Sequence, residues 1–360
     1  MDKLKVIHVG LGRWGFDWAK NVYRQAPEID VVAYVDRDPD ALGRAQIALG
    51  IAPAKCFADL AAALQASSAE AVVIALPIEL HIPVAIQALE AGKHVLVEKP
   101  FAPTPAEALP AVELAERLDL TLMVSQNYRH FPAAIAAAKL VRSGELGRLE
   151  SVKIDFRRHA PTESYVYWGL ANPLLVDMAV HHHDLMRMII GEEPVELNCR
   201  TWNPPGSPFE GDPSGAIVSL FPNGLSVSYR ATWLDHGPRT AWAGEWQMDF
   251  ERGVVFWTSR GEAADLGDRD RLAVQRSGQT LEEMAPTSDR HDRPAVLAAF
   301  YKAVKTATVP DYFSSGRDNL GTVEIVDATL RSAAMRGAPV ALSRFGTQPL
   351  PRTAAELTTR

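Results

Sequence analysis

Cysteine is nearly absent. The 360-residue chain has two, Cys56 and Cys199, far apart and in no CxxC pair. That excludes a disulfide framework and a CxxC zinc or redox centre, and it predicts a reducing, cytoplasmic setting. Long apolar runs are also missing. No stretch reaches the roughly 18 residues of a membrane span. The opening "MDKLKVIHVG" has an apolar run too short for a signal peptide. Basic runs are missing as well, and the net charge is −7 with a pI near 5.8, so neither nucleic acid nor a membrane surface is an expected partner. There is no internal repeat. What is present, 47% hydrophobic and 22% charged residues, is ordinary for a globular protein. At roughly 100–200 residues per domain, the length allows two or three domains.

The first ~125 residues alternate between two hydrophobic periods. "KVIHVG", "VVAYV", "AVVIAL", "HVLVE" and "LTLMV" read as strands buried on both faces. "RWGFDWAKNVYRQA", "PDALGRAQIALG", "LHIPVAIQALEAG" and "TPAEALPAVELAERLD" read as helices between them. This alternation predicts an α/β fold with a doubly wound parallel sheet over 1–125. After about residue 145 the pattern changes. "RLESVKIDF" and "LSVSYRATW" alternate every second residue, and "FPNG" before the latter reads as a hairpin turn. "EWQMDFE" and "GVVFWTS" continue the habit, and helical stretches follow near 294–306 and 317–336. The expectation is a second, α+β domain over 126–345 with an open, mostly antiparallel sheet, then a surface tail over 346–360. Trp233, Trp242 and Trp246 on its strands mark either a subunit contact or core.

"VGLGRWG" places Gly10, Gly12 and Gly15 in G-x-G-x-x-G spacing, with Arg13 and Trp14 between the last two. A strand precedes and a helix follows, so the backbone can approach a pyrophosphate. Asp36 ends the second strand, 21 residues after Gly15. A carboxylate there accepts from the adenosine ribose and repels a 2′-phosphate, which favours NAD. Arg37 beside it leaves NADP open.

"GKHVLVEKPFAPTP" brings Glu98, Lys99 and Pro100 to the end of a buried strand. Ligands of open α/β sheets bind at that edge, so Lys99 is either near a cofactor or a solvated loop lysine. "DMAVHHHDLMRMIIG" (177–191) poses a sharper question. As one helix over 175–190, with His181 at zero, Asp177 lies about 40° and Asp184 about 60° to one side. Those three share an inward face, His182 sits at the boundary, and His183 and Arg187 point to solvent. Consecutive histidines cannot converge on one metal ion, and no further ligand cluster supports one. The Asp177–His181 spacing leaves a metal, a structural buried pair and a proton-transfer site as readings.

Taken in order, "VGLGRWG", the acid of "YVDRDP", "ALPIELH", "AGKHVLVEKPFA" and "DMAVHHHDLMRMIIG" resemble the glucose-fructose oxidoreductase / inositol dehydrogenase / MocA (Gfo/Idh/MocA) family. The resemblance runs to "SGRDNLGTVEIVDATLRSA" and covers most of the chain. It implies a dinucleotide-binding domain and a C-terminal domain whose open sheet face makes a homodimer or homotetramer. It implies catalytic roles for Lys99, Asp177 and His181, and a cis bond before Pro100. It places Leu76, Pro77, His81 and Glu98 near the nicotinamide, and Asn127 and Arg129 beside cofactor and substrate. His182 and His183 depart from it, replacing the usual apolar residues, and His182 is expected at the pocket rim or a neighbouring subunit.

The activity implied is hydride transfer between NAD(H) and a secondary hydroxyl or ketone. The loop "RRHAPTESYVYWGLANP" offers Tyr165 and Trp168 for a sugar, inositol or other polyol, or simply for packing. Some relatives instead oxidise a sugar transiently, eliminate the aglycone and reduce again, with net glycoside cleavage. A non-catalytic NAD-binding regulator is a further reading, against which Lys99, Asp177 and His181 all argue.

Overall fold

The computed structural model describes residues 2–159, 169–261, 270–343 and 345. The proposed tail, Tyr165 and Trp168 lie outside the described residues. Two compact units form, and the division is not linear. The first comprises 1–131 with 288–319, and the second 132–287 with 320–360.

The first unit alternates as its hydrophobic periods require. Its elements are β1 (Leu4–Val9), α1 (Arg13–Asp17), β2 (Ile29–Val35), α2 (Pro39–Leu49), β3 (Cys56–Phe57) and α3 (Leu60–Ala66). Then come β4 (Ala71–Ile74), α4 (Ile78–Glu90), β5 (His94–Glu98), α5 (Pro105–Arg117) and β6 (Leu122–Ser125). Among the described residues the six strands pair in parallel in the order β3-β2-β1-β4-β5-β6. The order reverses beside β1, which opens a crevice at the carboxyl ends of β1 and β4. Helices start on real caps: Asp38, Asp59 and Thr104 side chains accept from Asp40, Ala62 and Glu107 N–H groups. The expected helix over "RWGFDWAKNVYRQA" is not uniform. After α1 it widens into a π turn (Trp18–Val22) and tightens into a 3₁₀ turn (Tyr23–Gln25).

The second unit starts with α6 (Pro132–Ser143), β7 (Leu149–Arg157), α7 (Pro173–Asp177) and α8 (Ala179–Ile190). The strands β8 (Glu196–Trp202), β9 (Ser214–Leu220), β10 (Ser226–Thr232), β11 (Glu245–Phe250), β12 (Gly253–Thr258), β13 (Arg271–Arg276) and β14 (Glu282–Met284) follow. After α9 (Asp292–Thr306), which belongs to the first unit, come α10 (Gly316–Ala334) and β15 (Val340–Ala341). Among the described residues the sheet runs β14-β13-β12-β11-β7-β10-β9-β8-β15 and is antiparallel except for the β7–β10 pair. The turn after β9 is the hairpin that "FPNG" signals, with Ser226 opposite Leu220. Inward positions of β10 (Val227, Tyr229, Ala231) are buried, while Ser228 and Arg230 are exposed. Trp233 and Trp246 are buried, so of the two readings for those tryptophans core holds.

Candidate functional site

The glycine loop is shaped by contacts that forbid side chains. Gly10 sits at φ +100°, and a Cβ there would lie 2.3 Å from the Ala75 carbonyl oxygen. A Cβ on Gly15 would lie 2.0 Å from the Gly10 oxygen. A Cβ on Gly12 would meet nothing within 4 Å, so backbone at the loop tip is open to a phosphate. Two polar side chains brace the loop from below. The Asp36 carboxylate accepts from Leu11 N (2.6 Å) and Asp38 N (2.9 Å). His8 Nε2 donates to Gly10 O (2.8 Å), which leaves Nδ1 to accept from the Tyr23 hydroxyl (2.8 Å). This ring is neutral, and burial pushes its pKa down to about 4. Open backbone at Gly12, with a carboxylate ending β2, fits a dinucleotide.

At the carboxyl end of β5, Glu98 is buried and fixed on both oxygens. Oε1 accepts from Trp18 Nε1 (2.8 Å) and Oε2 from Lys99 N (3.1 Å). The Lys99–Pro100 peptide is cis, as the resemblance implies. His81, buried on α4, places Nε2 2.7 Å from Leu76 O and Nδ1 2.8 Å from Pro100 O, bracing the turn. Burial holds its pKa below the usual value, against the pull of those carbonyls. After β6, Asn127 donates to Asp292 (2.5 Å), and the buried Arg129 pairs with Asp318 (2.7 Å). Trp14 is 42% exposed, with the Arg293 guanidinium 4.4 Å from its ring centre. Arg13 and Arg37 are exposed.

In the second unit the histidine segment is two helices, not one. Asp177 ends α7, Met178 breaks the run, and α8 opens with His181 N bonded to Met178 O (3.0 Å). His181 is buried and Asp177 half-buried. The expectation that His183 and Arg187 face solvent is wrong, because nearly all of α8 is enclosed. His183 is 3% exposed and Arg187 5%. Arg187, Asp184 and His182 are held by the surrounding elements instead. Arg187 forks onto Glu193 (Nε to Oε2, 2.8 Å) and donates to Thr322 Oγ1 (2.9 Å), whose hydroxyl donates to Asp184 Oδ1 (3.0 Å). His182 Nε2 donates to Trp242 O (2.9 Å), so Nδ1 accepts from the Tyr229 hydroxyl (2.9 Å). Both ring nitrogens are therefore occupied inside the unit rather than turned to a rim or a neighbour. Burial pushes His182 to about 4 and His183 to about 3.

Comparison with known families agrees with this architecture. Residues 4–126 match the model described as "Oxidoreductase family, NAD-binding Rossmann fold", and residues 135–256 match the GFO/IDH/MocA C-terminal domain. An inositol 2-dehydrogenase of an Arthrobacter species is 32% identical over 273 residues, 68% of this chain and 78% of its own. This chain belongs to the Gfo/Idh/MocA oxidoreductase family. An inositol 2-dehydrogenase of Leifsonia xyli subsp. xyli is 38% identical over 189 residues, and that match spans 52% of this chain and 54% of the relative. Among solved structures, an Agrobacterium radiobacter oxidoreductase in complex with NAD+, L-tartaric acid and magnesium superposes with a TM-score of 0.80. At 22% identity, covering 94% of this chain and 98% of that one, it shows the fold.

This family member thus gathers Gly10, Gly12, Gly15, Asp36, Glu98 and Lys99 along the carboxyl edge of its first sheet. Sequence reading missed two positioning residues there: Trp18 holding Glu98, which lay within the helical run after the glycine loop, and Asp292 holding Asn127.

Proposed function

We propose that the chain is an NAD(H)-dependent oxidoreductase acting on a secondary hydroxyl, or the matching ketone, of a sugar, inositol or related polyol. The observation that carries this reading is Lys99, delivered by the pinned Glu98 and a cis proline to the edge that holds the open glycine loop. The inositol 2-dehydrogenases among the relatives support the substrate class. When bound, NAD supplies the acceptor for the hydride. Lys99 hydrogen-bonds the reacting oxygen and stabilises its developing negative charge. His181 takes the hydroxyl proton as the C–H bond gives up its hydride and the C=O bond forms. Asp177 orients His181 or contacts a neighbouring hydroxyl. Arg129 is held by Asp318 and shapes the substrate side through that pair.

The test is absorbance of reduced nicotinamide on adding NAD with a panel of inositols, aldoses and glycosides. The expected result is one NADH per ketone formed. Loss of aglycone with trace NAD and no net NADH would establish the glycoside-cleaving alternative in its place.

We also infer that the outer sheet face mediates self-assembly into a homodimer or homotetramer. Trp202, Val218 and Leu220 on β8 and β9, and Phe256 on β12, are each about two-fifths exposed on it, apolar side chains that a second copy would cover. Sedimentation should show an oligomer, and Val218→Asp with Leu220→Asp should shift it to monomer. A monomeric wild type removes this inference.

A further inference from the structure

Two adjacent polar side chains at the carboxyl end of β6 are buried without partners. Ser125 and Gln126 are each 1% exposed, yet Ser125 Oγ and both ends of the Gln126 carboxamide make no hydrogen bond. The Gln126 backbone is fully engaged, donating to Val124 O (2.8 Å) and accepting from Arg129 N (3.2 Å). Buried amides are almost always satisfied, and leaving one open destabilises the fold that holds it. A site that needed only volume there would be better filled by methionine or leucine.

The position explains the cost. Ser125 is registered opposite Glu98, so Gln126 leaves its strand at the same edge where Lys99 leaves β5. Neighbouring polar groups at that edge already have partners: Glu98 has Trp18 and Lys99 N, His81 has two carbonyls, and Asn127 has Asp292. Gln126 offers both a donor and an acceptor. The complement is a group carrying both, such as a primary carboxamide or a ribose diol. The nicotinamide half of the cofactor carries each of these.

We propose that Gln126 is a binding residue for the nicotinamide half of NAD, with its carboxamide kept open in the free protein to exchange hydrogen bonds with that half. The proposal rests on the NAD-dependent reading above. Gln126→Met keeps length and removes both polar ends. Two measurements test it: the thermal midpoint of the cofactor-free chain, and binding of NADH and of ADP by titration calorimetry. The expected result is a midpoint raised by roughly a few degrees, NADH affinity lowered about tenfold or more, and ADP affinity unchanged. A purely structural glutamine would not give opposite signs for stability and binding. Gln126→Glu, which keeps the size, should likewise weaken NADH and spare ADP, so the test survives poor folding of the first variant. NADH affinity equal to wild type, or equal losses for NADH and ADP, overturns the proposal alone. A wild type that binds no NADH overturns the underlying reading as well.

Discussion

Lys99→Met and His181→Ala should each lower kcat by roughly 10²–10⁴, the range set by losing a positioned proton acceptor or an oxyanion donor, while NADH still binds. The expectation follows from where each side chain stands. Lys99 is half-buried at the sheet edge, and its backbone is fixed through Glu98 and Trp18. Methionine keeps the stem and the cis-proline turn but removes the charge. The Gly10–Gly15 loop and Asp36, proposed to hold the rest of the dinucleotide, are left intact. His181 is buried on a helix whose register is tied by Asp184, Arg187 and Thr322, so alanine removes the imidazole without freeing the helix. Steady-state kinetics on the substrate found in the panel, beside NADH titration, separates the two effects. The proposed roles put both groups to work on one step, so the double variant should lose little more than the worse single. Turnover near wild type in either single variant sinks the assignment.

A steep loss of stability on mild acidification is the second large effect. Burial holds His8, His130 and His182 near 4 and His183 near 3, with the Arg129 charge adding to the effect at His130. An unfolded histidine titrates near 6.5. Between about pH 6.5 and 4 the unfolded chain therefore binds protons that the folded chain refuses, and acid favours unfolding. The stability from keeping these rings neutral is fully present above the unfolded value and is lost as pH falls toward the folded ones. Each group contributes a slope of about 1.4 kcal/mol per pH unit, so four together approach about 5.5 kcal/mol per pH unit. Ordinary domains have only about 5–15 kcal/mol in total. Urea midpoints at pH 7.5, 6 and 5 should fall steeply, in both units, since His8 and His130 lie in one and His182 and His183 in the other. His183 Nε2 has no hydrogen-bond partner, so His183→Phe should flatten the slope by about one proton. A pH-independent midpoint over this range contradicts the buried neutral assignment.

The parts of this protein legible in its sequence are those written in short-range patterns. Runs such as "AVVI" and "HVLVE", short and alternating with helical stretches, read as doubly buried strands, and the glycine spacing needs no long-range information. β3 has two residues, and α3, "LAAALQA", lacks a strong polar face, so neither announces itself. The α8 prediction failed for a different reason. Helical geometry orients side chains around an axis but does not say how many sides are covered. His183 and Arg187 are inside because Tyr229, from a remote strand, packs against one, while Glu193 from the loop just after α8 and Thr322 from a remote helix bond the other. Gln126 was invisible for the same reason, since a missing partner is a fact of three dimensions.

The return of 288–319 to the first unit governs how the polypeptide matures on the ribosome. Val296, Leu297, Phe300 and Phe313 pack into the cluster built on Leu4, Val6 and Trp18. Translation has therefore finished most of the second unit before the earliest strands receive their last core neighbours. Nascent chains halted before residue 288 should stay protease-sensitive at their amino-terminal half, and any chimera that exchanges the second unit must be spliced at three joints rather than one.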